Sequence, residues 1–138
     1  MATLLTNHTI NEAVNTITNR TYCFEVPLNL STALTTSDKA YIRIPVMLNG
    51  ANLTSVGAMC VGASSSGDVT LTVKNGSTSM LSTNITIEAS EYDSTTATTQ
   101  PVVDTALDDV ATAAQIEVGC TGAGTGVTYV VVTLTFTK

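Results

Sequence analysis

The side chains able to do chemistry in this chain fall into a few small groups, and in each group a partner the chemistry needs is lacking. Glu88, Glu91 and Asp93 stand before one polar stretch, and Asp104, Asp108 and Asp109 follow it. Folding could gather the two groups around a hard cation such as calcium, which takes about six to eight oxygen ligands. The order of the residues does not follow an EF-hand loop, in which alternating acids lead to a glycine and a later glutamate. The solvated face of a loop is therefore the expected role. A carboxylate pair can also hydrolyse a glycosidic bond, but only across a cleft that holds the sugar. The aromatic residues are Tyr22, Phe24, Tyr41, Tyr92, Tyr129 and Phe136, with no tryptophan, which makes a poor sugar wall.

His8 is the single histidine, so a Ser-His-Asp arrangement would have to be built on a loosely patterned terminus. Cys23, Cys60 and Cys120 would each have the same remote His8 as imidazole base. The three thiols are odd in number, far apart and set in strand-like text, so they are expected to be buried and unpaired. Without a CxxC pair they offer no zinc site. The run 119–126 (GCTGAGTG) has the look of a phosphate-cradling loop. It lacks the Walker lysine and leads into a strand, whereas an anion site of that kind opens a helix. It is expected to be a flexible loop between the last two strands. Asn-x-Ser/Thr triplets occur at Asn7, Asn19, Asn29, Asn52, Asn75 and Asn84, and the abundance of Asn and Thr accounts for them. No residue is assigned a catalytic, cofactor-binding or metal-binding role, no partner-contacting residue is singled out, and the chain is expected not to be an enzyme.

The elements that would position such groups are strands. Along 127–137, Val130, Val132, Leu134 and Phe136 alternate with Tyr129, Val131, Thr133 and Thr135. A period of two is that of a half-buried strand. Val69, Leu71 and Val73 alternate in the same way with Thr70, Thr72 and Lys74, and Ile85 and Ile87 with Thr86 and Glu88. Strands are expected at 22–26, 40–46, 53–61, 69–74, 82–88, 115–120 and 127–137. Turn-forming clusters lie between them, among them Asn49-Gly50 and Asn75-Gly76. Pro45 cannot donate to a ladder, so its strand ends there or sits at a sheet edge. Only 101–114 shows helical spacing inside the chain, through Val103, Ala106, Leu107 and Val110, and one helical turn within a long crossover is the expectation. Residues 1–20 carry Ile10, Ala13, Val14 and Ile17, and Thr9 with Glu12 fits a capping box, while Thr16, Ile17 and Thr18 favour an extended arm. The expected organisation is an arm over 1–20 and a single all-β domain over 21–138: an antiparallel β-sandwich, jelly-roll or Greek-key-like.

Bulk composition narrows the partners. Charged residues are 12% of the 138, and 27 are threonines, so uncharged hydroxyls replace lysine and glutamate on outward faces. The formal net charge of −6, with Arg20, Lys39, Arg43, Lys74 and Lys138 as the cations, offers no basic stripe for phosphates, and nucleic acid is not an expected partner. No apolar run approaches the ~20 residues of a membrane-spanning helix, and 1–20 lacks the layout of a signal peptide, so no membrane partner and folding in the cytoplasm are expected.

Several segments are familiar. Ile42-Arg43-Ile44-Pro45, then Leu48-Asn49-Gly50-Ala51-Asn52-Leu53, Met80-Leu81-Ser82-Thr83 with Ile85-Thr86-Ile87, Ser94-Thr95-Thr96-Ala97, and the run 104–112 (DTALDDVAT) carry the likeness. Over about 40–137 the chain resembles small virion proteins of tailed bacteriophages, especially those of aquatic and cyanobacterial hosts: capsid decoration (cement) proteins, also seen as tail and fibre appendages. The resemblance implies a β-sandwich on the capsid exterior, commonly a homotrimer, that holds neighbouring major capsid protein subunits together after assembly in the host cytoplasm. It implies no catalytic residue, no cofactor and no small-molecule substrate. The alternative it leaves open is a tail fibre or baseplate module that binds host-surface carbohydrate through loops 64–68, 91–100 and 122–126.

Overall fold

The computed structural model describes residues 20–30 and 32–138. Eleven strands run through them: β1 (Thr21–Asn29), β2 (Lys39–Arg43), β3 (Ala51–Gly62), β4 (Val69–Asn75), β5 (Thr78–Ser79), β6 (Leu81–Thr83), β7 (Ile85–Ile87), β8 (Val102–Val103), β9 (Asp109–Val110), β10 (Gln115–Ala123) and β11 (Thr128–Thr137). Short 3-10 turns occupy Val46–Leu48 and Ser94–Thr96. The first sheet has the order β1-β11-β3-β9, the second β2-β10-β4-β5 with β7 also on β4, and β6 pairs β8 in a small third sheet. Every pairing is antiparallel. The expected all-β sandwich is the fold of the chain. The expected arm and its Thr9–Glu12 capping box, with His8, lie outside the described residues. Arg20 already belongs to the ladder: its N–H donates to the Lys138 carbonyl (2.8 Å) and its carbonyl accepts from the Lys138 N–H (2.9 Å).

The period-two segments do what their pattern requires. Val130, Val132, Leu134 and Phe136 are fully buried, as are Val69, Leu71 and Val73 from the second sheet, and they meet in one core with Ile85, Ile87, Ile116 and Val118. Each such side chain withdrawn from water contributes about 1.5–3 kcal/mol. Phe136 stands edge-on to Phe24 with ring centroids 5.9 Å apart, the geometry the ring quadrupoles favour. Pro45 does mark an edge: β2 flanks the second sheet and stops at Arg43, and Pro45 leads into the Val46–Leu48 turn. Asn75-Gly76 makes the hairpin between β4 and β5.

Three expectations are corrected. Residues 82–88 do not form one strand. They break at Asn84, so that Leu81–Thr83 pairs β8 and Ile85–Ile87 pairs β4. Residues 101–114 hold no helical turn. The Asp104 carboxylate accepts from the Ala106 N–H (3.0 Å) and its carbonyl from the Leu107 N–H (2.9 Å), closing one reverse turn, and the Ala114 N–H closes another on the Ala111 carbonyl (3.1 Å). Val103 and Val110 then enter different sheets. The run 119–126 is mostly strand, because β10 extends to Ala123 through an irregularity between Cys120 and Gly122. Close packing is what the glycines serve there: a Cβ on Gly122 would stand 3.1 Å from Thr70 Oγ1, and one on Gly119 3.3 Å from Thr72 Oγ1.

Candidate functional site

The carboxylates singled out from the sequence do not converge. Glu88 accepts from the Thr98 N–H (2.8 Å), Glu91 from the Thr96 hydroxyl (3.2 Å) and Asp93 from the Thr95 N–H (2.8 Å), so each ties down its own turn of the 88–98 loop. The hydrogen bonds from Thr98 hold the Glu88 carboxyl below its ordinary range. Asp108 and Asp109 lie at the far end of β3, where the Asn52 amide donates to both, at 2.8 and 3.0 Å. Among the described residues no three His, Cys, Asp or Glu side chains gather as a metal site would require. Every buried side-chain nitrogen or oxygen there has a hydrogen-bond partner.

All three thiols are free, but only Cys60 and Cys120 are buried; Cys23 is exposed, against expectation. It falls on the outward side of β1, whereas Val26 on the same strand points into the core. Burial, with the nearby Asp93 charge, pushes the Cys60 thiol above its ordinary value, and burial with Asp38 does the same for Cys120. Neither is poised as a thiolate nucleophile.

The surfaces that remain are the two outward sheet faces. Cross-strand register assigns the first. One row runs Pro27, Val131, Met59 and Asp93; the next Glu25, Thr133 and Gly57; then Cys23, Thr135 and Ser55; and last Thr21, Thr137, Asn52 and Asp109. The face is mostly hydroxyl and apolar, with Glu25, Asp93 and Asp109 as its charged groups. Gly57 leaves a hollow of about 220 Å³ beside Met59, Asp93, Thr95 and Thr133. That is smaller than the roughly 300–1,000 Å³ of small-molecule sites.

The second face has the opposite sign. Lys39, Tyr41 and Arg43 alternate outward along β2, Gln115, Glu117 and Gly119 along β10, and Thr70, Thr72 and Lys74 along β4. Glu117 lies between Tyr41 and Lys74 in register, 3.0 Å from the Lys39 ammonium, and accepts from the Tyr41 hydroxyl at 2.9 Å. These hydrogen bonds lower the Glu117 carboxyl and raise both Lys39 and Tyr41. Lys39, Arg43 and Lys74 thus face one carboxylate, a net positive patch on a chain of net charge −6. Residues 39–43, 74 and 117 are scattered through the chain, and only the strand order brings them together.

At one end of the sandwich, loops 64–68 and 124–126 are stitched together. The Ser64 hydroxyl accepts from the Thr125 N–H (2.9 Å) and donates to the Gly67 carbonyl (2.6 Å), and the Ser65 N–H donates to the Thr125 carbonyl (3.0 Å). The Ser90 N–H reaches the Ser64 carbonyl (2.8 Å), which adds the start of the 88–98 loop. Tyr92 and Tyr129 are exposed beside this end of β3. No family model matches the chain, and no curated protein or solved structure matches it either.

Proposed function

We propose that this protein is a structural component of a tailed-phage virion: a capsid decoration protein that binds the outer surface of the major capsid lattice as a homotrimer and stabilises it by contact alone. The supporting observation is the pair of broad outward sheet faces, one mostly hydroxyl and apolar with Glu25, Asp93 and Asp109 as its charged groups, on a scaffold whose loop carboxylates each hold their own turn. Such a face is desolvated at low cost, because few ions must leave water on contact. Three linked copies would then hold the lattice through avidity. A cryo-EM map of the producing virus tests the reading. Regular β-rich density of this size across the capsid is the expected result, and its confinement to the tail would overturn it.

One observation favours a second reading, a tail fibre or baseplate module that binds host-surface carbohydrate. Loops 64–68 and 124–126 do converge, and Tyr92 and Tyr129 stand exposed near them. Exposed tyrosine rings offer the apolar faces on which sugars stack. A glycan array with strong, selective signal, abolished by Tyr92→Ala and Tyr129→Ala together, would move the assignment to that reading.

A further inference from the structure

We infer that the two outward faces are the complementary halves of one head-to-tail contact between copies of this chain, the Lys39/Arg43/Lys74 face of one copy seating on the Glu25/Asp93/Asp109 face of the next. This rests on the proposal that the protein is a homotrimer and says which surfaces would build it.

Charge selects the pairing. A face carrying Glu25, Asp93 and Asp109 repels its own copy, and so does one carrying Lys39, Arg43 and Lys74 around the single Glu117; across the two kinds, a net negative face meets a net positive one. Shape permits it. Both faces are sheet surfaces whose central rows carry small or short side chains, Thr133 with Gly57 on one and Gly119 with Thr72 on the other. A contact between two different patches is heterologous, so it repeats from copy to copy and either closes a ring or grows a fibre. The first face is roughly 30 Å by 15 Å, or about 450 Å² in plan. A standard interface buries about 800 Å² per partner. A single contact is therefore weak, and a closed ring, in which every copy makes two, is the stable product.

A charge-swap experiment on the full chain tests this by sedimentation velocity at matched concentrations. Wild type is expected to sediment as an oligomer at about 0.1 M salt and to dissociate at about 1 M, where the screening length falls from ~10 Å to ~3 Å. Arg43→Glu with Lys74→Glu gives a chain negative on both faces, and Glu25→Lys with Asp109→Lys gives one positive on both, so that a mixture of the two can make both contacts. Each double variant alone is expected to be monomeric, and their equimolar mixture to form complexes of at least twice the monomer mass. A face-to-face contact between identical patches predicts instead that one of the variants assembles alone as wild type does. That result, a monomeric wild type at low salt, or a mixture that stays monomeric would each overturn the inference. Matching far-UV circular dichroism shows that the variants fold, and the single pair Lys74→Glu with Glu25→Lys repeats the comparison should a double variant misfold. Virion location is read separately: a self-assembling protein absent from the capsid overturns the proposed function alone, and a monomer that decorates capsids overturns this contact alone.

Discussion

The hydroxyl oxygen of Ser94 lies 2.9 Å from the amide nitrogen of Ala58 and accepts its hydrogen bond, with both residues buried. It is one of the points where the 88–98 loop is pinned to the edge of β3, next to the Met59–Asp93 bridge and the Cys60 N–H that donates to the Tyr92 carbonyl (2.8 Å). Ser94→Ala leaves a buried N–H without a partner, which costs about 1–3 kcal/mol. Urea denaturation is expected to show that loss, whereas Thr95→Ala, at an exposed neighbour whose side chain supplies no such bond, should change stability by less than about 0.5 kcal/mol.

Phe136 is fully buried and edge-on to Phe24. Phe136→Ala removes the largest fully buried side chain of the central strand and opens a cavity, at a cost of about 3–5 kcal/mol. Phe24→Leu, at the half-buried partner, keeps most of the volume and should cost less than about 1.5 kcal/mol. Parallel urea melts with unchanged slope would separate the two.

Thiol labelling of the native protein should modify one cysteine only. Cys23 is exposed, and Cys60 and Cys120 are buried with thiols held above the ordinary 9.0. A colorimetric thiol reagent is expected to titrate one group per chain at neutral pH and three after denaturation. Cys23→Ser should abolish the native signal.

Acid stability follows from Glu88 and Glu117, whose folded carboxyls are both held below the ordinary 4.5. A depressed folded pKa gives stability that is present above the unfolded value and is lost as pH falls through the folded one. The urea midpoint should therefore decline below about pH 4.5. Glu117→Gln and Glu88→Gln should each flatten that decline, which midpoints measured down the acid limb would read directly.

Gly124 adopts φ +59, and a Cβ there would collide with the Ser64 side chain. Gly124→Ala carries the left-handed backbone penalty of about 1–2 kcal/mol, and the displacement of Ser64 comes in addition. Because Ser64 ties loops 64–68 and 124–126 together, amide hydrogen exchange in both loops should rise in this variant while the core strands stay protected.

Much of this fold was legible because its core strands obey a strict period. Val130 to Phe136 and Val69 to Val73 bury the residues their alternation assigns to the core. What stayed hidden depends on partners distant in sequence. Nothing in Leu81 to Ile87 says that Asn84 will divide it between two sheets, because the decision lies with Val103 on one side and Leu71 on the other. The helical spacing of Val103 and Val110 was overruled in the same way by separate strand partners. The surface was half legible: alternation set Lys74 outward, while the side taken by Tyr41 and Arg43 came only with the pairing of their strand. Only the register of β10 between β2 and β4 showed that Glu117 lies among them. Cys23 misled because a cysteine in strand-like text is usually a core residue, and its strand turns that position to solvent.

The last strand in the sequence, Thr128–Thr137, occupies the middle of the first sheet, with β1 from the start of the described chain on one side and β3 on the other. Among the described residues β1 pairs with β11 alone, so β11 is what joins it to β3 in the first sheet. Truncation within Thr128–Thr137 would therefore part β1 from β3 and open the core that Val130, Val132, Leu134 and Phe136 fill.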